Sequence, residues 1–120
     1  MASDGNTQGN LDLPAYWNRK PKDAPARLVR MVESDAQAIA VAIKASGFKL
    51  AYVAAALGKS EGYVSRLRSG QRPIPDKLVK PFCRVVGNRL LEQYRELQAA
   101  LELTERGHIS HLASMLQEAA

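Results

Sequence analysis

The 120-residue sequence is poor in the residues that build disulfide scaffolds, β-sheets and membrane spans. Its single cysteine, Cys83, has no partner within the chain, so an internal disulfide is excluded. Aromatic residues make up only 6% of the chain, and good strand formers rarely alternate with polar residues, which argues against a sheet. We see no apolar run of bilayer length and no secretory leader pattern, so we expect a reducing, cytoplasmic setting without a membrane partner.

The apolar residues that are present recur at helical spacing, and the chain length suits one modest core, so we predict an all-α domain. Ser34 followed by Gln37 matches a capping box. Pro81 fits the first position of a helix, because its missing N–H would have no partner there, and Gly107 is expected to end the longest helix. The predicted helices cover residues 24–33, 35–46, 50–57, 61–68, 81–86 and 88–106, and a last short helix follows from Ile109.

The charge is unevenly distributed along the chain. Residues 1–18 carry a net charge of −2, residues 19–84 carry fourteen basic and five acidic side chains for +9, and residues 85–120 carry −2. A basic middle between two acidic ends favours an anionic polymer as partner, although a basic surface that only keeps the protein soluble would have the same composition. The polar start predicts a flexible segment over residues 1–23.

The most informative stretch is SGFKLAYVAAALGKSEGYVSRLRSGQRPIP, residues 46–75. It contains two short amphipathic helices joined by a turn at Gly58, and the second helix has Val64 and Leu67 on its apolar face. The series resembles the lambda-repressor-like helix-turn-helix family of the Cro or XRE type, over about residues 35–92. The resemblance is carried by Ala54, Leu57, Gly58 and Ser60 across the turn, Tyr63-Val64-Ser65-Arg66-Leu67, Ser69-Gly70, Pro73 and the downstream helix LVKPFCRVVG.

This resemblance implies a lambda-repressor-like helical bundle, with a DNA-binding domain over residues 24–92 and a C-terminal helical extension over residues 93–120 that serves dimerisation. In the family, the second helix of the pair enters the major groove and the first crosses the phosphate backbone. The implied base-reading residues are Glu61, Gly62, Ser65 and Arg66. The implied phosphate-binding residues are Lys49, Lys59, Arg68, Ser69, Gln71 and Arg72.

Arg66 is the strongest candidate for reading a base, because its guanidinium can donate two hydrogen bonds to guanine. The sequence departs from the family pattern at two positions. Leu50 stands where a phosphate-binding glutamine is frequent, which removes one expected contact. Arg68 stands where an acidic residue is frequent, which adds a positive charge beside the DNA.

The segment before the first helix combines aromatic and basic residues between prolines. It forms either an arm that wraps DNA or enters a minor groove, or a strap whose aromatic side chains pack on the helical core, and we expect the strap. The residues concerned are Tyr16, Trp17, Arg19, Lys20 and Lys22.

An apolar seam over about two heptads marks the longest predicted helix. The seam is either an internal core face or the interface of a two-fold homodimer that binds paired half-sites about one DNA turn apart, and we expect the dimer. Its members are Leu90, Tyr94, Leu97 and Leu101.

No constellation in the sequence supports catalysis. His108 and His111 stand three residues apart without further ligands at metal-binding spacing, and Cys83 lies in an apolar run without a partnered base. A glycine-rich phosphate loop is also missing from the sequence. We therefore expect a protein that is not an enzyme and that uses neither a metal nor a cofactor.

The expected function is sequence-specific binding of double-stranded DNA in transcription regulation. Repression through an inverted-repeat operator is implied by the family resemblance, as is an origin on a phage or plasmid. The alternative is an antitoxin or adaptor whose tails bind a protein partner, with DNA binding secondary. RNA binding ranks third, because no platform of stacking aromatics is visible. DNA is favoured because we expect four basic side chains on one exposed face, namely Lys59, Arg66, Arg68 and Arg72.

Overall fold

Six helices make up the regular structure of residues 20–119, the part of the chain that the computed structural model describes. They are α1 (Ala26–Met31), α2 (Asp35–Ser46), α3 (Leu50–Leu57), α4 (Glu61–Ser69), α5 (Asp76–Val86) and α6 (Leu90–Ala119). Within this part of the chain, the sole β-type pairing is an isolated bridge between Lys22 and Asn88. The predicted all-α class is therefore confirmed for the described residues.

Side-chain caps set the starts of α2 and α4. Ser34 Oγ accepts a hydrogen bond from the Gln37 N–H at 3.0 Å, and the Gln37 side-chain oxygen accepts one from the Glu33 N–H at 2.7 Å. Ser60 Oγ accepts a hydrogen bond from the Tyr63 N–H at 3.0 Å. Each cap satisfies an N–H that has no partner within its helix. The predicted ranges of α2 and α3 are confirmed, and α4 is one residue longer than predicted.

One apolar core lies between the helices. Its largest fully buried side chains are Phe82, Ile39, Leu67, Leu90, Leu91, Val53, Val64, Val85 and Cys83. α4 packs against α2 and α3, whereas α5 packs against α3, α6 and α2. α4 is thereby held with one face in the core and the opposite face at the surface.

α5 begins earlier than predicted, at Asp76 rather than at Pro81. A proline inside a helix removes a backbone hydrogen bond and costs about 3 kcal/mol. The residues that precede it in the helix include Leu78 and Val79, which are both buried. Burying such a side chain contributes about 1.5–3 kcal/mol. The burial of Leu78 and Val79 therefore offsets the cost of Pro81.

α6 is a single helix of 30 residues and does not end at Gly107 as predicted. One glycine costs a helix about 1 kcal/mol relative to alanine, and this cost does not interrupt α6. The first turns of α6 complete the core, since Leu90, Leu91 and Tyr94 are 2%, 0% and 7% exposed. The assignment of Leu90 and Tyr94 to a dimer interface is therefore corrected, because both side chains are already covered within the protomer.

The segment before α1 is anchored to the corner between α5 and α6. The Lys22 N–H donates to the Gly87 carbonyl at 3.0 Å, and the Lys22 carbonyl accepts from the Arg89 N–H at 2.8 Å. Residues 20–23, which we call the strap, are thus tied to the domain by backbone hydrogen bonds while Lys20, Lys22 and Asp23 remain exposed, which corrects the end of the predicted flexible segment. The remaining members of the predicted arm or strap, Tyr16, Trp17 and Arg19, lie outside the described residues.

Ion pairs connect α6 to the starts of other helices. The Arg95 guanidinium donates to Asp35 at the start of α2 at 3.4 Å and also to Asp76 at the start of α5. The Arg89 guanidinium donates to Asp23 in the strap at 2.8 Å. Acidic residues at helix N-termini are stabilised by the helix dipole as well as by these arginines. The base of α6 is therefore part of the domain rather than an appendage.

Candidate nucleic-acid interface

The outward face of α4 is set by the side chains that α4 buries. Val64 and Leu67 are 0% and 1% exposed. At about 100° per residue, Gly62, Ser65 and Arg66 point to the side of the helix opposite these two residues. Gly62 and Arg66 are exposed, and Ser65 is half-buried. Three of the predicted base-reading residues thus share one surface, which we call the outward face.

Two glycines in left-handed backbone conformation define the entry and exit of α4. Gly58 has φ 69° and Gly70 has φ 84°, which disfavours any residue with a Cβ atom. After Gly58, the Lys59 N–H donates to the Ala54 carbonyl at 2.9 Å. The connection between α3 and α4 is only three residues long, so the angle between the two helices is tightly fixed.

The Arg66 side chain reaches back over Gly62. A Cβ atom placed on Gly62 would lie 3.5 Å from Arg66 Nη1. Side chains on a helix lean towards its N-terminus, which brings the guanidinium to the first turn of α4. Among residues 20–119, no carboxylate lies within ion-pair distance of Arg66. Its forked donors therefore remain available to a ligand beside the N-terminal half of α4.

The Tyr63 ring contacts two cationic side chains along one edge of the outward face. We call this edge the Tyr63 edge. Lys59 Nζ lies 5.2 Å from the centre of the Tyr63 ring, and the Arg72 guanidinium carbon lies 4.8 Å from it. Arg72 returns to this position because its N–H donates to the Arg66 carbonyl at 3.2 Å. Tyr63 was not among the residues predicted to contact DNA. The four-residue spacing from Lys59 was the available signal, but the return of Arg72 depends on the fold of a loop.

We expect Tyr63 and Arg72 to be energetically coupled. Cation–π contacts at exposed sites contribute about 0.5–1 kcal/mol. The double variant of Tyr63→Leu and Arg72→Ala should therefore lose less unfolding free energy than the two single variants do in sum, by about that amount. Urea unfolding of the two single variants and the double variant measures this coupling. Tyr63→Phe is the matched control, because it keeps the ring and should keep the coupling. Additive losses in the Leu cycle would mean that the ring does not hold Arg72.

Arg68 lies on the other side of α4, about 200° around the helix from Arg66. It lines an open groove of about 420 Å³ together with Lys44, Gly47 and Phe48. We call this side the Arg68 edge. The expectation of one exposed basic face is therefore corrected: the helical repeat places cations along both edges of the outward face, with Arg66 between them.

The remaining predicted residues differ in how available they are. The Ser69 hydroxyl donates to the Arg66 carbonyl at 3.3 Å, so it is already used within α4. Lys49, at the N-cap of α3, and Gln71 are exposed. Glu61 is exposed and lies towards the Arg68 edge, within about 20° of Arg68 around the helix. A carboxylate in this position counteracts part of the positive charge of that edge.

The other reactive side chains lie apart from this surface. Among the described residues, no group of three His, Cys, Asp or Glu is arranged to hold a metal ion. Cys83 is buried, and its burial raises the pKa of the thiol to about 11, so little thiolate exists at neutral pH. His108 and His111 are exposed on α6.

Residues 20–119 contain no single helix with the length and apolar character needed to cross a membrane. α2 and α3 satisfy these two criteria only when they are counted together, and they meet at an angle of 109°. Most of their apolar side chains belong to the core described above.

Comparison with known proteins adds no assignment to this geometry. No family model matches the chain, and neither a curated protein nor a solved structure matches it.

Proposed function

We propose that α3 and α4 form a helix-turn-helix and that the protein is a sequence-specific DNA-binding regulator of transcription. The observation that carries this proposal is the outward face of α4, which lies between two basic edges. The major groove of DNA admits an α-helix and is bordered by phosphates on both sides. A helix that carries Arg66 in the middle, Lys59 and Arg72 along one edge and Arg68 along the other matches that distribution of charge.

The contacts divide into base reading and backbone positioning. Arg66 is suited to guanine, because its two parallel N–H groups match the O6 and N7 acceptors. Ser65 can donate to a base or a phosphate, and Gly62 leaves room for the first turn to approach the base edges. Lys59, Arg72 and Arg68 would bind phosphates, which fixes the register of α4 without reading sequence.

We expect Arg66→Ala and Arg72→Ala to weaken DNA binding in different ways. Loss of a base contact should cost about 1–3 kcal/mol on the preferred site and much less on unrelated DNA, so Arg66→Ala should relax discrimination at one base position. Arg72→Ala should weaken both kinds of DNA by similar factors, because a phosphate carries no base identity. Titrations of each variant with specific and random DNA separate the two outcomes.

Two controls accompany these variants. Both should keep the helical circular dichroism of the original chain, since the two side chains point away from the core. Arg66→Lys retains the positive charge but lacks the two parallel N–H donors of the guanidinium. DNA binding by this variant should therefore lose base discrimination and keep most of its salt dependence. Equal losses on specific and random DNA for Arg66→Ala would mean that a different face of α4 enters the groove.

We further propose that the protein acts as a dimer and represses transcription in the cytoplasm by occupying an operator. Of the predicted dimer seam, Leu97 is half-buried against the core and Leu101 is 53% exposed. Of the predicted seam, only Leu101 and the exposed part of Leu97 can therefore contact a second copy. Two-fold pairing would suit an inverted-repeat operator.

An adaptor or antitoxin is the second candidate function. The observation that favours it is the exposed apolar side of α6 beyond Leu97, which would then be covered by a different protein instead of by a second copy. In that case the chain would sediment as a monomer on its own. The basic edges of α4 would then have no ligand of their own, which is why we prefer DNA binding.

The test of the proposed function is selection of bound DNA from a random pool by the full chain, followed by sequencing. An enriched motif that disappears with Arg66→Ala would support sequence-specific binding through α4. A pool without enrichment, at a salt concentration low enough to detect binding, would reject this function in favour of the adaptor.

A further inference from the structure

The outer two thirds of α6 form a helix that nothing in the described chain covers. Every residue from 98 to 119 is exposed. The large apolar side chains in this stretch are between 50% and 74% exposed, and they are Leu101, Leu103, Ile109, Leu112, Met115 and Leu116. Helices without tertiary contacts are marginal in water, and Gly107 weakens this one further. Exposed apolar side chains of this size along a free helix mark a surface for a partner.

Five of these six side chains share one side of α6. At about 100° per residue, Leu101, Ile109, Leu112, Met115 and Leu116 fall within an arc of about 120°, and Leu103 lies outside it. We call the five residues the α6 stripe. Glu105 and His108 fall within the same arc.

The α6 stripe points in the same direction as the buried base of the helix. Leu90, Leu91 and Tyr94 occupy an arc of about 100° whose centre coincides with that of the stripe. These three residues are buried where α6 packs against α1, α2 and α5. The body of the domain therefore lies on the stripe side of α6, directly below the exposed apolar surface.

This geometry limits how a second copy can cover the stripe. Packed helices have axes about 8–10 Å apart. If two α6 helices paired in parallel through their stripes, both domain bodies would have to occupy the narrow gap between the helix bases. In an antiparallel pair, each body instead lies beyond the C-terminal end of the partner helix, where no other part of the dimer is present.

We propose that the stripe is covered by a second copy of this chain, in an antiparallel pair formed by residues 97–119 of the two α6 helices. The charged residues agree with this orientation. Parallel pairing would set Glu105 against Glu105 of the partner subunit, whereas antiparallel pairing about His108 separates the two glutamates and leaves each of them within one helical turn of His108 of the partner subunit, which lies in the same arc. The pairing also places Leu101 opposite Met115 of the partner subunit, so an apolar side chain meets an apolar one.

If the proposed function holds, the antiparallel orientation also sets the spacing between the two half-sites of the operator. Residues 97–119 span about 35 Å of helix. The described chain is 77 Å long and only 27 and 24 Å across, so the body takes up the remainder of the length. An antiparallel pair with full overlap then separates the two domain centres by about 70–80 Å, which corresponds to about two turns of B-DNA. The expected half-site spacing of one turn becomes two turns.

Disulfide cross-linking without DNA tests the orientation. In an antiparallel dimer, Leu101→Cys alone should not cross-link, because the two new thiols lie about 20 Å apart, far beyond the reach of a disulfide. A mixture of Leu101→Cys with Met115→Cys should yield a disulfide-linked heterodimer. A mixture of Leu101→Cys with Leu112→Cys should cross-link instead if the two antiparallel helices are shifted relative to each other by about one helical turn. The unmodified chain is the control, since buried Cys83 should not react.

The proposal predicts cross-links in a mixture and none in Leu101→Cys alone. Rapid self-cross-linking of Leu101→Cys and of Met115→Cys would indicate parallel helices and overturn it. Absence of cross-links in both mixtures, or a monomer in sedimentation, would overturn it too. These experiments contain no DNA, so their failure leaves the proposed function standing. A DNA selection without enrichment, combined with intact cross-linking, would reject the function and keep the dimer.

Discussion

Operator binding should fall by about 10³- to 10⁵-fold between 50 and 200 mM salt. The two edges of α4 and the exposed Lys49 provide roughly six to ten cationic phosphate contacts in a dimer, and each neutralised phosphate releases condensed counterions. A titration of labelled DNA at four or five salt concentrations gives the slope of log affinity against log salt. A nearly flat titration would mean that the basic edges of α4 do not face the DNA backbone.

A matched pair of substitutions shows whether residues beside α4 cause the dependence of log affinity on log salt. Arg72→Ala should reduce it by about one unit for each phosphate contact removed. Lys80→Ala removes the same charge from α5, where Lys80 lines a separate groove with Lys20, Lys22 and Arg84. The Lys80 variant should leave the slope unchanged. Similar reductions in both variants would point to a diffuse attraction by net charge rather than to contacts at the Tyr63 edge.

Local signals in the sequence were sufficient for the helices that hold the candidate site. Ser34 and Ser60 have hydroxyls that accept the N–H groups their helices leave unpaired. Gly58 and Gly70 adopt the left-handed conformation that ends a helix. The burial of Val64 and Leu67 then fixes which side of α4 faces outward. These effects act over a few residues, which is why spacing alone predicted them.

The two largest errors in the predicted helix boundaries lie at Pro81 and Gly107. Pro81 predicts a helix start when the sequence is read locally, but the core gains more from burying Leu78 and Val79 than the helix loses at the proline. Gly107 predicts a stop, yet a single glycine costs a helix only about 1 kcal/mol, and α6 continues through it to Ala119. The balance at Pro81 cannot be judged without knowing which side chains the fold buries.

The distribution of charge around α4 also depends on tertiary structure. Arg68 is close to Arg66 in sequence, but the turn of the helix separates their side chains and places Arg68 beside Lys44 of α2. Arg72 is further away in sequence and nevertheless reaches the Tyr63 ring, because the loop after α4 folds back onto the Arg66 carbonyl. The sequence therefore supplied the basic residues of the candidate interface but not the edge of α4 on which each one lies.

Chains that end at two different points in α6 should behave differently, because only the base of this helix belongs to the core. A chain that stops after Asn88 lacks Leu90, Leu91 and Tyr94. Burying each of these contributes about 1.5–3 kcal/mol, so their combined loss of about 5–9 kcal/mol is comparable to the whole stability of a typical domain. We expect this chain to be unfolded at 25 °C, with little helical circular dichroism and no thermal transition.

A chain that stops after Gln98 should instead fold and melt cooperatively, because it keeps every buried residue and loses only exposed ones. Without residues 99–119 it should sediment as a monomer. Its affinity for a single half-site should remain close to that of the full chain, while its affinity for the paired operator falls, because the second domain is no longer tethered and the effective concentration that tethering provides is lost. A dimer in this shortened chain would place the interface elsewhere on the domain. A folded, cooperative chain ending at Asn88 would contradict the assignment of Leu90, Leu91 and Tyr94 to the core.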